Sequence, residues 1–183
     1  MKMLVVVMVV CMCYSGCSQR PAQAWQPEQA EAVAWWIEDV AHGLERDPGE
    51  LEFTAGGRNL QSIAAWAAGS RINGQWIPPQ QLMSRRNRWP TIKSGLAHGD
   101  IVSAPVPGLI ASSPELAPVR RQQIDAIIDI ENEDRRFIDG LILTLGHPDI
   151  GVARAYEDAV RRARKAHDVV EYQPATNSPQ TTH

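Results

Sequence analysis

Apolar positions change their period several times along the chain. Residues 3–13 are an unbroken apolar run. From Pro27 onward, Ala30, Val33, Ile37, Val40 and Leu44 recur at helical spacing, with Trp35 and Trp36 flanking the stripe. Pro27 suits a first helical position, and Glu28 adds a carboxylate to the first turn. Residues 45–57 read as a loop with a turn at Asp47-Pro48-Gly49. Asn59 is placed to cap a second, short helix carrying Leu60, Ile63 and Trp66 and ending near Gly69. Asn73-Gly74, between Ile72 and Trp76-Ile77, predicts a tiny hairpin that Pro78-Pro79 ends. A basic helix over 80–88 follows, and Pro90 opens another that runs to about Ala97 before the stop at His98-Gly99-Asp100. Ile101-Val102 and Leu109-Ile110 are short extended pieces around Pro105 and Pro107, which forbid a regular central strand.

The C-terminal half carries the longest helical pattern, over 116–145. Gly146 then ends a helix and Pro148 starts the next, as in an αα-hairpin. The last helix puts Ile150, Ala153, Tyr156, Val160 and Ala163 on one face. Residues 171–183 have almost no apolar content and are predicted to be disordered. The expected fold is mainly α: a small helical domain with a C-terminal αα-hairpin and at most short β pieces near 72–77 and 101–111. The expected division is a signal segment 1–16, a tether 17–26, a Trp-rich helical segment 27–77, a helical domain 78–170 and the tail 171–183.

One helix breaks its own pattern. At about 100° per residue, Ile124, Ile127, Ile128, Ile138, Ile142 and Leu145 share a face of the long helix, and Glu131 and Arg135 fall near its centre, roughly 40° apart. Asn132 and Asp134 flank them. A structural ion pair that fixes how the helix docks is one explanation, and it must be well hydrogen-bonded to offset desolvation. A groove in which Glu131, Asn132, Asp134 and Arg135 meet a ligand or partner is a second. Catalysis by Glu131 is a third, although no second titratable group lies at a diagnostic spacing.

The N-terminus changes the cellular picture. Lys2 precedes the apolar run, which is too short to span a bilayer at roughly 20 residues. Ser15-Gly16-Cys17 follows. An h-region, two small residues and a cysteine resemble a lipobox, with Tyr14 where Leu is usual. Cleavage before Cys17 and lipidation of its thiol is the expectation, since several acyl chains anchor stably where one does not. An ordinary cleaved signal and an uncleaved anchor are the alternatives. Ser18 favours the periplasmic face of the outer membrane over inner-membrane retention. Cys11, Cys13 and Cys17 are the only cysteines, so a chain starting at Cys17 has no internal disulfide and no Cys-ligated zinc.

Net charge is −3, and −4 once Lys2 is lost, which gives no electrostatic footprint for nucleic acid. Basic residues cluster at Arg85, Arg86 and Arg88, and at Arg161, Arg162, Arg164 and Lys165. Solvated helix faces are the simpler reading of both clusters. Contact with anionic headgroups or an acidic partner is the sharper one. All six tryptophans precede residue 90. Core packing, a membrane interface near Trp25, Trp35 and Trp36, and a sugar-stacking platform all fit them. His42, His98, His147, His167 and His183 are scattered, with no metal-binding spacing, and His147 reads as a turn or capping residue. No nucleophile elbow or phosphate loop is present, so no cofactor is expected.

Arg88-Trp89-Pro90, Ile92-Lys93, Gly99-Asp100, Gly108-Leu109-Ile110-Ala111, Glu131-Asn132-Glu133-Asp134-Arg135 and Gly146-His147-Pro148 occur in that order. Together they resemble the YdbL-like family of bacterial envelope proteins over about residues 80–165. The resemblance implies a small, mostly helical, exported domain without known catalysis or cofactor. Assistance of a lipid-transport bridge between membranes is one role suggested for that family. Typical members have an ordinary cleaved signal, and the Trp-rich segment lies largely outside the match. The expected function is therefore a non-enzymatic lipoprotein, membrane-bound through lipid, that binds or assists an envelope protein. A cell-wall glycan- or lipid-acting enzyme and a purely structural lipoprotein are the rivals.

Overall fold

The computed structural model describes residues 25–54, 58–72 and 74–168. The signal segment, Cys17, nearly all of the tether and the tail 171–183 lie outside the described residues. The chain is mainly helical. Its elements are α1 (Pro27–Ala41), α2 (Gly49–Thr54), α3 (Arg58–Ala67), β1 (Ser70–Ile72), β2 (Gln75–Ile77), α4 (Gln80–His98), β3 (Ile101–Ser103), β4 (Ile110–Ser112), α5 (Pro118–Gly146) and α6 (Ile150–Asp168). Each strand pair is a separate antiparallel hairpin, with Arg71 opposite Trp76 and Val102 opposite Ala111. Among the described residues no helix is long and apolar enough to cross a membrane.

Several boundaries differ from the sequence expectation. Residues 80–98 form one helix with Pro90 inside it. Proline removes one intrahelical hydrogen bond, but this helix is tied down on both sides of it. Arg85 and Arg88 hold one side, and Ile92 is buried in an apolar cluster on the other. The Asp47-Pro48-Gly49 turn is present, with the Gly49 N–H donating to Asp47 Oδ1 at 2.8 Å. It leads into α2 rather than continuing as a loop. Helix α3 starts at Arg58, so Asn59 lies inside it and not at its cap. Leu44 falls beyond the end of α1 and is half exposed.

The αα-hairpin at the C-terminus is present, but its turn is built differently. His147, not glycine, takes the left-handed conformation (φ 41°). Gly146 is the last helical residue and is needed for close approach: a Cβ there would lie 3.0 Å from the Trp25 ring and 3.3 Å from Ile63. Helix α6 begins two residues after Pro148, where Asp149 Oδ1 accepts from the Val152 N–H at 2.9 Å. Side-chain oxygens of this kind satisfy first-turn donors that have no helical partner.

Among the described residues, two apolar clusters hold the helices together. The larger takes residues from α1, α2, α3, α4, α5 and α6, including Trp36, Ile37, Ile63, Leu82, Ile138, Ile142 and Tyr156. It crosses the expected 77/78 division, so segments 27–77 and 78–170 share one core. Trp25, placed in the tether by sequence, is buried in it and stacks on Tyr156 at 6.1 Å. Trp25 and Trp36 are thus core residues here, not exposed at an interface. Burial of each such large side chain stabilises by about 1.5–3 kcal/mol. The smaller cluster joins Ile92, Ile101, Ile110, Ile124 and Ile128. Gly95 permits it, because a Cβ there would collide with Ile101 Cδ1 at 2.6 Å.

The clusters alternate with charge along two helices. On α4 the order is Leu82, then Arg85 and Arg88, then Ile92. On α5 it is Ile124 and Ile128, then Glu131 and Arg135, then Ile138 and Ile142. A layer of ions therefore separates the two apolar clusters.

Candidate functional site

Four helices contribute ionisable residues one turn apart to this layer: Glu38 from α1 and His42 from its C-cap, Arg85 and Arg88 from α4, Glu131 and Arg135 from α5, Arg164 and Asp168 from α6. Residues three or four apart lie on one helical face, so each helix turns both toward the same place. Backbone contacts put α6 chiefly against α1, while α5 packs on α3, α4 and β4. The α5–α6 pair is bridged by long ionic side chains instead.

Glu38 is fully buried and accepts from two arginines. Arg85 Nη1 and Nη2 donate to its two oxygens at 3.0 and 2.7 Å, and Arg164 Nε donates at 2.9 Å. Arg85 Nε turns to Glu131 Oε1 at 2.9 Å, the oxygen that also accepts from Arg135 Nε at 2.9 Å. Arg88 Nη2 reaches Glu131 Oε2 at 3.2 Å and also pairs with Asp134. The planar guanidinium donates along several edges at once, which is why arginine and not lysine suits a branched buried network. Arg164 closes on Asp139 with a two-bond fork at 2.8 and 3.0 Å. Arg135 Nη1 donates to Gly108 O at 3.0 Å and pairs with Asp168 at 3.3 Å.

A second set of contacts lies at the C-terminal ends of α1 and α6. The His42 and His167 rings stack at 4.4 Å between centroids, and Trp89 meets His42 edge-on at 4.3 Å. His42 Nδ1 lies 2.5 Å from Glu38 O, and its Nε2 lies 3.7 Å from Asp168. His167 Nε2 lies 2.8 Å from Asp39, which also holds Arg46 Nε at 2.9 Å.

Charge states follow from these neighbours. Burial would raise Glu131, but Arg85 and Arg135 outweigh it and hold the carboxyl below its ordinary range. Burial likewise opposes Glu38, and Arg164 and Arg85 bring it well below that range. Burial would raise Asp168; its contact with His42 and the charge on Arg135 lower it. Asp139 goes the other way, because burial raises it and Arg164 does not compensate. Burial would also lower Arg85, but Glu38 and Glu131 outweigh that and hold it protonated. His167 is lowered by burial and by neighbouring His42, against the pull of Asp39.

The residues singled out by sequence are brought together only in part. Glu131 and Arg135 meet at the centre of the layer, buried on every side. Asn132 does something else: its amide accepts from the Ile110 N–H at 3.1 Å and donates to Ile110 O at 2.8 Å. It completes the β4 backbone like a neighbouring strand and fastens the second hairpin to α5. Asp134 is half-buried at the rim with Arg88. Arg85 is not a surface residue; it is 2% exposed, because two carboxylates compensate its burial. Arg86 is half-buried on α4. Arg164 also leaves its basic cluster for the interior, while Arg161, Arg162 and Lys165 stay exposed.

Sequence reasoning missed Glu38, Arg164 and Asp168 as members of the layer. A signal was available for two of them. Glu38 follows Ala34 by four residues and precedes Ala41 by three; Arg164 follows Val160 by four and Tyr156 by eight. Each is an ionisable residue on a buried apolar stripe, the same irregularity that marks Glu131.

Among the described residues, surface hollows lie elsewhere. One of about 320 Å³ sits between α4 and α5, lined by Pro90, Ser94, Arg120, Gln123 and Ile127. Another of about 200 Å³ lies beside Trp35, Arg46 and Leu51. Neither contains Glu131 or Arg135. Among the described residues no group of three His, Cys, Asp or Glu side chains is arranged to hold a metal ion. No family model, no curated protein and no solved structure matches this chain.

Proposed function

We propose that this chain is an exported lipoprotein, anchored through Cys17, whose helical domain binds or assists another component of the cell envelope without catalysing a reaction. The observation that carries the non-catalytic reading is that each carboxylate of the ion layer is paired with arginine. A general acid at neutral pH needs a carboxyl raised toward the working pH and open to a reacting group. Glu131 has the opposite condition, being buried and held ionised by Arg85 and Arg135, and Asp139, which burial raises, has both oxygens closed on Arg164. The layer serves to lock four helices together, which suits a rigid domain that presents its outer surface. The apolar run, Ser15-Gly16-Cys17 and the resemblance to the YdbL-like family support export and an envelope role. Assistance of lipid transport between membranes is the most specific form of that role.

Fractionation of cells expressing wild type and Cys17→Ser, with a labelled fatty acid, tests the anchor. Wild type is expected in the membrane fraction carrying label, and the variant is expected to be released and unlabelled. Membrane retention of the variant with an uncleaved N-terminus would overturn the lipoprotein reading. Crosslinking of the intact lipidated protein in envelope membranes tests the role. Capture of a specific envelope protein supports assistance, and capture of glycan or lipid alone favours the cell-wall alternative.

A further inference from the structure

The inner face of α5 is accounted for by the ion layer and the two apolar clusters; its outer face is not. On that outer face, Val119 is 73% exposed, Ile130 51% and Phe137 48%. Ala126 lies on the same line. So does Gly140, where a Cβ would meet nothing within 4 Å. The steps along the line, from residue 119 to residue 144, alternate between four and three, and every position on it is exposed. An average step of 3.5 is the seam of a two-helix coiled coil. A mid-helix glycine with open space beside it is costly for the isolated helix, and a close-packed neighbour would explain it.

We infer that a second copy of this chain covers this seam, with the two α5 helices antiparallel about a two-fold axis passing between residues 131 and 132. That axis pairs large residues with small ones. Phe137 falls opposite Ala126 of the second copy, Gln123 opposite Gly140, and Ile130 beside the aliphatic stem of Glu133. The charges at the edge of the seam agree. Asp129 and Arg136 are both exposed, and neither has an ion-pair partner within the chain among the described residues. The axis brings Asp129 of each copy to Arg136 of the other, so the match occurs twice, as an isologous interface requires. A parallel, in-register pair would instead stack Glu133 on Glu133 and set Asp129 beside Asp134. Like charges there disfavour that arrangement.

The test uses the full-length chain in intact cells, read in the whole lysate, with a photocrosslinking phenylalanine analogue in place of Phe137. Mixed isotopically labelled and unlabelled chains identify crosslinks between copies. The expected product is a dimer whose crosslink lies within residues 122–135 of the second copy. Asp129→Arg and Arg136→Asp each create two like-charge contacts by symmetry and are expected to lower the dimer yield about tenfold or more. Combining the two reversals is expected to restore it. Both sites are exposed, so unchanged circular dichroism is expected for all three variants. Absence of a dimer, crosslinks confined to a different protein, single reversals without effect, or failure of the combined reversal to restore the yield would each overturn the inference. None of these outcomes depends on how Cys17 is modified.

Discussion

The apolar clusters and the ion layer between them hold the same helices by different physics. The larger cluster, around Trp36, Ile37, Ile138 and Tyr156, is non-directional: any well-packed set of similar volume would bury similar area. The ion layer is directional. Arg85 satisfies Glu38 and Glu131 only when α1, α4 and α5 stand in one mutual register. The difference teaches that burial brings these helices together while the charges select how they meet. The two parts also fail differently. Truncating an apolar side chain leaves a cavity, whereas truncating one ion leaves its partners buried and uncompensated.

The largest effect is expected from Glu38→Ala, which leaves the buried Arg85 and Arg164 with one carboxylate each, Glu131 and Asp139. A loss of about 3–5 kcal/mol in urea unfolding is expected, and a loss below about 1 kcal/mol would mean that the arginines find other partners. Glu131→Ala comes next, at roughly 3 kcal/mol, because Arg85 and Arg135 keep Glu38 and Asp168, and Arg88, which keeps Asp134, is partly open to water. Ile92→Val probes the small cluster by a single methylene, and about 0.5–1.5 kcal/mol is expected by the same measurement.

Stability is also expected to depend on pH. His167 titrates below its ordinary 6.5 in the folded chain. A histidine lowered on folding contributes stability above its unfolded value, and that stability is lost as pH falls below 6.5. Unfolding free energy is therefore expected to decline from pH 7 toward 5, and less steeply in His167→Gln. An equal slope in both proteins would remove the stacked His42–His167 pair from the account. Glu38, Glu131 and Asp168, all lowered, add a further loss at lower pH as they protonate, and Asp139, which is raised, opposes it. The smallest effect is expected at the surface. Arg162→Ala removes an exposed pair with Glu31, and a change under about 1 kcal/mol should follow.

The helical class, the hairpin of β1 and β2, the start of α1 at Pro27 and the long α5 were all legible in the sequence. Each depends on neighbours within a few residues: a fixed φ at proline, a turn preference, an apolar period. The irregularity at Glu131 and Arg135 was legible for the same reason, since one helix contains both. What Glu131 touches was not. Its partners Arg85 and Arg88 come from a helix more than forty residues earlier, and nothing local distinguishes Arg85 from its neighbour Arg86.

By itself the sequence determined the helical class, the apolar face of the longest helices, and that a charged pair interrupts the longest stripe. Only the tertiary structure decided that Trp25 belongs to the core, that Gly146 is a packing residue while His147 makes the turn, and that four helices merge their charges into one layer. The physical reason is range. Backbone preference and helical periodicity act over a turn or two, whereas the compensation of a buried charge is settled by whichever helix arrives beside it.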